Sequence, residues 1–173
     1  MISESKLLSE RYDKMRNSII AYPRIGEDRE LKFWTEDYFD GNLSKETLES
    51  SARELREKQW RQLAASGIDF IPSNDFSFYD GMLDMAVLLN AIPEAYQSLG
   101  LDELDTSFAM ARGYQGAQGD VKALPMKKWF NTNYHYIVPL LEDNTELKLN
   151  SDGNHGDGSL DRLISFFQAL YTS

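Results

Sequence analysis

IIAYPRIGEDRELK, residues 19–32, predicts a short strand, a sharp turn and the start of a helix. The first four residues are apolar or aromatic, and Pro23 ends the strand because proline cannot continue its hydrogen-bond ladder. The Pro-Arg-Ile-Gly turn places the polar residues that follow on a loop or first helical turn, where their side chains can face a ligand. The helix is predicted over residues 30–39 and ends before Asp40-Gly41-Asn42, which breaks it.

A longer helix is predicted from Lys45 to Ala65, with Ser44 as its N-cap. Gly67 stands where a glycine commonly ends a helix, and the short β run Ile68-Asp69-Phe70-Ile71 follows at once. This order is a helix-to-strand step. The apolar positions that recur at helical spacing, with Gln59 contributing its aliphatic stem, are Leu48, Ala52, Leu55, Gln59 and Leu63.

The second half of the chain continues the alternation. A helix is predicted over Gly81–Asn90, and Pro93 opens a further helical piece. Residues 105–112 form either a strand or a helical turn, and residues 136–138 form a strand. Between them, the glycines predict a flexible loop; they are Gly113, Gly116 and Gly119.

The amino-acid composition limits the classes of function that this protein can have. The chain has 173 residues, 42% of them hydrophobic, enough for one ordinary core, and no stretch approaches the roughly 18 apolar residues of a membrane helix. The charged N-terminus, residues 1–14, does not resemble a signal peptide, so we expect a cytoplasmic protein. The absence of cysteine excludes disulfides, thiolate nucleophiles and cysteine-ligated zinc.

A net charge of −10 argues against binding to nucleic acid or to anionic membranes. A polyanionic ligand would need a local basic cluster. The residues that could supply one are Arg24, Arg29, Lys32, Lys127 and Lys128.

Three ordered segments carry a family resemblance. They are the turn and helix start of residues 19–32, IPSNDFSFYD at residues 71–80 and KKWFNTNYHY at residues 127–136. Together they resemble the amino-terminal barrel domain of cobalamin-independent methionine synthase, a family that transfers a methyl group from a folate to homocysteine. The likeness runs from about Ile19 to Asn150.

The resemblance implies an α/β fold, a partial (β/α)₈ or TIM-type barrel with mainly parallel strands and extra N-terminal and C-terminal helices. A complete barrel takes about 250 residues, more than this chain offers. We expect a single domain, 1–173. Its parts are an N-terminal arm or helix (1–18), the synthase-like domain (19–150), a Gly-rich linker (151–158) and a C-terminal helix (159–173).

The resemblance also implies a folate site. In the family, an Arg-Glu-Leu-Lys stretch helps to bind the folate and its glutamate tail, and two positions of the second motif contact the folate. The residues that match are Arg29, Glu30, Leu31, Lys32, Lys128 and Asn133. Arginine and lysine suit carboxylates, and a helix start adds a favourable dipole.

No catalytic or metal-binding residue is predicted. The family's zinc lies in its carboxy-terminal barrel with the homocysteine site, so the resemblance assigns this chain no cofactor. His135 is more simply a hydrogen-bonded core residue than a proton donor. Asp75 and Asp80 could form a carboxylate pair, but turn and capping chemistry is the simpler interpretation. The run 152–158 has oxygen ligands at alternate positions, as calcium-binding loops do. Its residues do not follow the EF-hand order, so we interpret the run as a linker.

Two functions from different classes follow. The first is a methionine-synthase-like N-terminal domain that binds a methyl-folate polyglutamate at most and is not catalytic alone, requiring a partner chain for the reaction. The second is a non-catalytic interaction protein whose half barrels assemble into a homo-oligomer, because open sheet edges and an unclosed apolar interior are rarely left exposed. A small enzyme with a new active site is a third possibility, for which no nucleophile, metal cluster or phosphate loop is evident.

Overall fold

A computed structural model describes residues 16–73 and 75–149 of the chain. The chain forms two compact units, the first ending at Ser73. Most of the predicted N-terminal arm (1–18), the Gly-rich linker (151–158) and the C-terminal helix (159–173) lie outside the described residues.

The first unit contains helices α1 (Glu30–Phe39) and α2 (Lys45–Ala65), at the bounds that the sequence predicts. The N-cap prediction is confirmed, because the Ser44 hydroxyl accepts a hydrogen bond of 3.2 Å from the Thr47 amide. At the other end of α2, the amides of Gly67 and Ile68 donate to the carbonyls of Ala64 and Leu63, which is a Schellman cap. Gly67 has the positive φ, 80°, that this cap requires.

The core of the first unit lies between these two helices. Leu31 of α1 is 1% exposed, and the predicted stripe of α2 is buried. The buried side chains of that stripe are Leu48, Ala52, Leu55, Gln59 and Leu63. Helical spacing therefore identified this core, since residues three and four apart share one face.

The strands predicted in the first unit do not form, and one isolated bridge stands in their place. Neither 19–22 nor 68–71 forms a strand; Ser18 and Phe70 make an isolated parallel bridge, in which the Phe70 amide donates to Asn17 O at 3.1 Å. The Asn17 side chain extends this contact through Asp69 N and Gly67 O, at 2.9 and 3.0 Å. The prediction of strands at 19–22 and 68–71 is therefore wrong, because a strand needs a paired neighbour along its length and the parallel contact here is an isolated bridge between Ser18 and Phe70.

The second unit begins with helices α3 (Gly81–Leu88), α4 (Glu94–Gln97) and α5 (Glu103–Arg112). The first two agree with the predictions, although α3 ends before Asn90, which adopts a positive φ of 56°. Residues 105–112, predicted as a strand or helical turn, belong to α5. Asp102 caps this helix by accepting from the Asp105 amide at 3.0 Å, a local signal that favours helix.

The strands form two antiparallel pairs: β1 (Tyr114–Gly116) with β2 (Gly119–Val121), and β3 (Met126–Lys128) with β4 (His135–Ile137). The prediction of mainly parallel strands is therefore wrong for the described residues. The glycine loop predicted at 113–119 is instead a hairpin with a two-residue turn between Gly116 and Gly119. Glycines placed this closely let the chain reverse and pair with itself, whereas parallel pairing needs a long crossover.

The core of the second unit joins α3, α4, α5 and β4. Val87 and Met110 are fully buried, and Ile137 of β4 is 1% exposed. Other members of this cluster are Leu83, Tyr96, Leu99, Ala109, Ala111 and Leu124. Helices and strands thus combine in one chain, as predicted. No helix in the described part of the chain is both long and apolar enough to cross a membrane.

Candidate ligand site

The start of α1 is an ordered turn rather than a loose loop. Gly26 has φ 89° and accepts from the Arg29 amide at 3.3 Å, and Ile25 O accepts from the Leu31 amide at 3.1 Å. Arg29, the N-cap residue, adopts a left-handed φ of 61°. The Glu30 carboxylate accepts from the Asp28 amide at 3.0 Å. The Arg-Glu-Leu-Lys stretch therefore begins from a fixed backbone.

The four residues of this stretch have different environments. Leu31 is a core residue, so its side chain has no surface to offer a ligand. The Glu30 carboxylate is used within the turn. Arg29 and Lys32 are exposed, and Lys32 pairs with Glu36 at 3.2 Å while its ammonium lies 5.0 Å from the centre of the Phe33 ring. The two cations are thus the members of the stretch that can meet a ligand carboxylate in water.

The second set of predicted residues lies on the hairpin of β3 and β4. Lys128 is opposite His135 in the register, and Asn133 lies in the connecting turn; all three are exposed. Trp129 packs edge-on against Phe130 and Tyr136, with ring centres 5.0 and 5.7 Å apart. The hairpin therefore presents a cation, an amide and aromatic surface together, a combination suited to a flat ring that carries polar groups.

The turn of this hairpin is held by hydrogen bonds on both sides of Asn133. The Trp129 amide donates to Tyr134 O at 2.8 Å, and the Thr132 hydroxyl donates to Trp129 O at 2.6 Å. Phe130 adopts a positive φ of 50°, which tightens the turn. His135 Nδ1 lies 3.1 Å from Asn133 O, so His135 is hydrogen-bonded as expected, but it is exposed and the expectation of a core position was wrong.

Asp80 has the capping role that the sequence favoured. Its carboxylate accepts from the Leu83 amide in the first turn of α3 at 3.1 Å, and also from the Ile137 amide at 3.0 Å and the Tyr134 hydroxyl. The capping could be foreseen from the aspartate before a helix. The two bonds to the hairpin could not, because they join residues 54 and 57 positions apart.

A cavity of about 270 Å³ lies beside the Pro-Arg-Ile-Gly turn. Helix α2 forms its other wall. The residues that line it include Pro23, Gly26 and Glu27 from the turn and Leu55, Lys58, Gln59 and Gln62 from the helix. Nothing in the sequence pattern indicated this cavity, since it requires the helix and the turn to lie side by side.

The predicted site residues thus fall into two groups. The cations of α1 belong to the first unit, and Lys128 and Asn133 belong to the second. Within each group the structure places the residues close together, as neighbours on one helical turn or one hairpin.

A family comparison accounts for most of the chain. The family described as "Cobalamin-independent synthase, N-terminal domain" matches residues 16–156. The chain belongs to this family. The match spans both units and includes every predicted site residue, so the resemblance found in the three motifs is confirmed.

Individual relatives of this synthase family agree. The chain is 59% identical over 135 residues to a protein from Streptococcus suis and 57% identical over 138 residues to one from Campylobacter jejuni subsp. doylei. Both are named 5-methyltetrahydropteroyltriglutamate–homocysteine methyltransferase. The alignments cover 78% and 80% of this chain but 18% of each relative.

The described residues contain no ligand set for the family's zinc, which the resemblance places in the other barrel. The sequence has no cysteine, and across residues 16–73 and 75–149 no three His, Asp or Glu side chains group closely enough to hold a metal.

Proposed function

We propose that this chain is the folate-side portion of a cobalamin-independent methionine synthase, which binds a methyl-folate polyglutamate and does not transfer the methyl group alone. The observation that carries the proposal is the 141-residue family match together with exposed cations at the matched positions, Lys32 and Lys128. The triglutamate in the relatives' name supplies the ligand chemistry that those cations suit. We also propose a cytoplasmic location, which a biosynthetic role of this kind supports.

The residue chemistry of each unit supports the proposal separately. In the first unit, Arg29 offers a planar fork and Lys32 a point charge to carboxylates. In the second unit, Lys128, Asn133 and the aromatic rings of the hairpin offer polar and stacking contacts. In a protein of net charge −10, these local cations offset the field that would otherwise repel a polyanion.

We also propose that the first unit preserves part of a (β/α)₈ barrel. The parallel bridge between Ser18 and Phe70 supports this, because the two bridged segments are separated in sequence by α1 and α2. A parallel pair with a helical crossover is the repeating element of such barrels. In this proposal the two segments are neighbouring barrel strands.

The test of folate binding is calorimetric titration of the protein with triglutamylated methyltetrahydrofolate and with its monoglutamate. Saturable binding that is tighter for the triglutamate is expected. Lys32→Ala and Lys128→Ala should each weaken binding by about two- to fivefold. Lys45→Ala is the matched control, since Lys45 is a cation of α2 outside the matched motif and pairs with Glu49 at 4.0 Å. Equal affinity in all variants, or no binding by the wild type, would contradict the proposal.

A second candidate function is assembly, and exposed apolar side chains favour it. Ile20 is 98% exposed and Phe70 53% exposed, at the parallel bridge between Ser18 and Phe70. Further exposed leucines lie in the second unit: Leu140, Leu141, Leu147 and Leu149. Exposure of apolar side chains to water is unfavourable, and contact with a second copy or a partner chain would bury them. Sedimentation at micromolar concentration tests this: a dimer or larger species is expected, and a monodisperse monomer argues against it.

A further inference from the structure

Asp80 is a buried aspartate whose carboxylate accepts three hydrogen bonds. It is 4% exposed, and its Oδ2 accepts from the amides of Leu83 and Ile137 at 3.1 and 3.0 Å. Its Oδ1 accepts from the hydroxyl of Tyr134. One side chain thus joins the start of α3 to both ends of a four-residue segment of the hairpin.

Because Asp80 is buried, its stability in the fold depends on these hydrogen bonds. An ionised carboxylate accepts hydrogen bonds only, and removing it from water is costly unless donors replace the lost solvent. Asp80 finds those donors in two backbone amides and one hydroxyl, and the start of α3 adds a favourable dipole. The arrangement resists displacement of the hairpin, since any movement would leave the carboxylate unsatisfied.

Two residues of the candidate site, Asn133 and Lys128, lie next to and opposite the anchored segment. Asn133 immediately precedes Tyr134 in the sequence, and His135 immediately follows Tyr134. Lys128 is paired with His135 across the hairpin. The Tyr134 carbonyl also closes the turn by accepting from the Trp129 amide at 2.8 Å. The position of Tyr134 therefore fixes the positions of Lys128 and Asn133.

We propose that Asp80 is a positioning residue of the ligand site, which acts through the Tyr134 hydroxyl and the Ile137 amide to hold Lys128 and Asn133 on the hairpin. The proposal rests on the folate-binding function proposed above. Asp80 itself does not contact the ligand. Its contribution is to set the geometry of the hairpin before the ligand arrives, which lowers the cost of ordering on binding.

The most selective test is Tyr134→Phe, which removes one hydroxyl and leaves the ring. The full chain is titrated calorimetrically with triglutamylated methyltetrahydrofolate, and amide hydrogen exchange is followed at Trp129 and Ile137. We expect about tenfold weaker binding and about tenfold faster exchange at these two amides, as for the loss of a hydrogen bond to a charged group. Tyr114→Phe is the matched control, because it removes a hydroxyl that is hydrogen-bonded to Gln118 on the other hairpin of the same unit, away from the candidate site. It should change neither quantity.

Variants of Asp80 separate positioning from helix capping. Asp80→Ala removes the cap and the hairpin anchors together, whereas Asp80→Asn keeps an acceptor oxygen and should restore most of the affinity. Asp102→Ala removes the N-cap of α5 in the same unit without touching the hairpin. We expect Asp102→Ala to lower the unfolding midpoint but to leave the affinity unchanged.

The outcomes distinguish the two proposals. If the wild type does not bind the folate, the proposed function fails and the ligand-positioning role of Asp80 fails with it. If the wild type binds and Tyr134→Phe binds equally well with unchanged exchange, only the positioning role is overturned. Equal weakening by Tyr134→Phe and Tyr114→Phe, or by Asp80→Ala and Asp102→Ala, would also overturn it, because the effect would then be general destabilisation.

Discussion

The side-chain amide of Gln59 donates a hydrogen bond of 2.9 Å to the carbonyl oxygen of Pro23, across 36 residues of chain. Gln59 is 6% exposed, so this polar group is removed from water and its donor is used. The bond ties the middle of α2 to the Pro-Arg-Ile-Gly turn. It therefore connects this helix to the turn that precedes the predicted cations of α1.

Replacing Gln59 with alanine should destabilise the first unit by about 2 kcal/mol. The reason is twofold: the Pro23 carbonyl loses its donor and the buried stem of the glutamine is lost. Urea unfolding followed by circular dichroism measures the change. Gln62→Ala, one turn further along α2 at an exposed position, should shift stability by less than about 0.5 kcal/mol. An equal effect of the two substitutions would show that the bond to Pro23 contributes nothing.

Gly26→Ala should destabilise the turn by more than the roughly 1–2 kcal/mol of a left-handed non-glycine residue. At φ 89°, an added Cβ would also collide with the Glu30 carboxylate, which accepts the Asp28 amide. Gly41→Ala is the control: its φ is 74°, but no atom lies within 4 Å of the added Cβ. Comparison of the two unfolding free energies isolates the collision. A larger loss at Gly41 would contradict the assigned geometry of the turn.

Glu36→Gln should strengthen binding of an anionic ligand at Lys32, by up to about threefold. The salt bridge of 3.2 Å between them keeps Lys32 partly neutralised when no ligand is present. Titration at low ionic strength shows the change best, because salt screens exposed charges. Glu49→Gln, which breaks the Lys45 pair of the same helical spacing on α2, should have no effect. If Glu36→Gln weakened binding, Glu36 would have to be assigned a role in the site.

Tyr96 predicts a pH dependence of stability in the second unit. Burial raises the pKa of its phenol above the ordinary value of 10.0, and its hydroxyl donates to Lys122 O at 2.6 Å. Since the folded state holds the proton more tightly than the unfolded state, this contribution is complete below the unfolded pKa of about 10 and is lost as pH rises through the folded pKa.

The expected result is a fall in the free energy of unfolding above about pH 10 that Tyr96→Phe reduces. The measurement is urea unfolding at pH 8, 9.5 and 10.5. Tyr79→Phe is the comparison, because Tyr79 packs at the edge of the same core but is less buried. A fall of the same size in wild type and Tyr96→Phe would assign the pH dependence to other groups.

Sequence alone located helices α1 to α4 and the family, whereas the helix α5 was left open between a strand and a helical turn. The spacing of Leu48, Ala52 and Leu55, with Ser44 and Gly67 at the ends, defined α2 because helix formation depends on local spacing and on caps within a few residues. The motifs around Arg29 and Lys128 identified the family because their residue order is independent of packing. Leu31 is the exception within the predicted site, since a motif match does not show which of its side chains turn towards the core.

Tertiary structure decided the pairing of strands and the anchors of the candidate site. The glycines at 113–119 indicated only a loop, and the hairpin required knowledge of which segments meet. The bonds from Asp80 to Tyr134 and Ile137, and from Gln59 to Pro23, join residues tens of positions apart. Such contacts depend on the folded positions of whole elements, and no local pattern of residues encodes them. Sequence thus determined most of the helices, their caps and the chemistry available to them, whereas burial and long-range hydrogen bonds determined the strand pairing and how that chemistry is held.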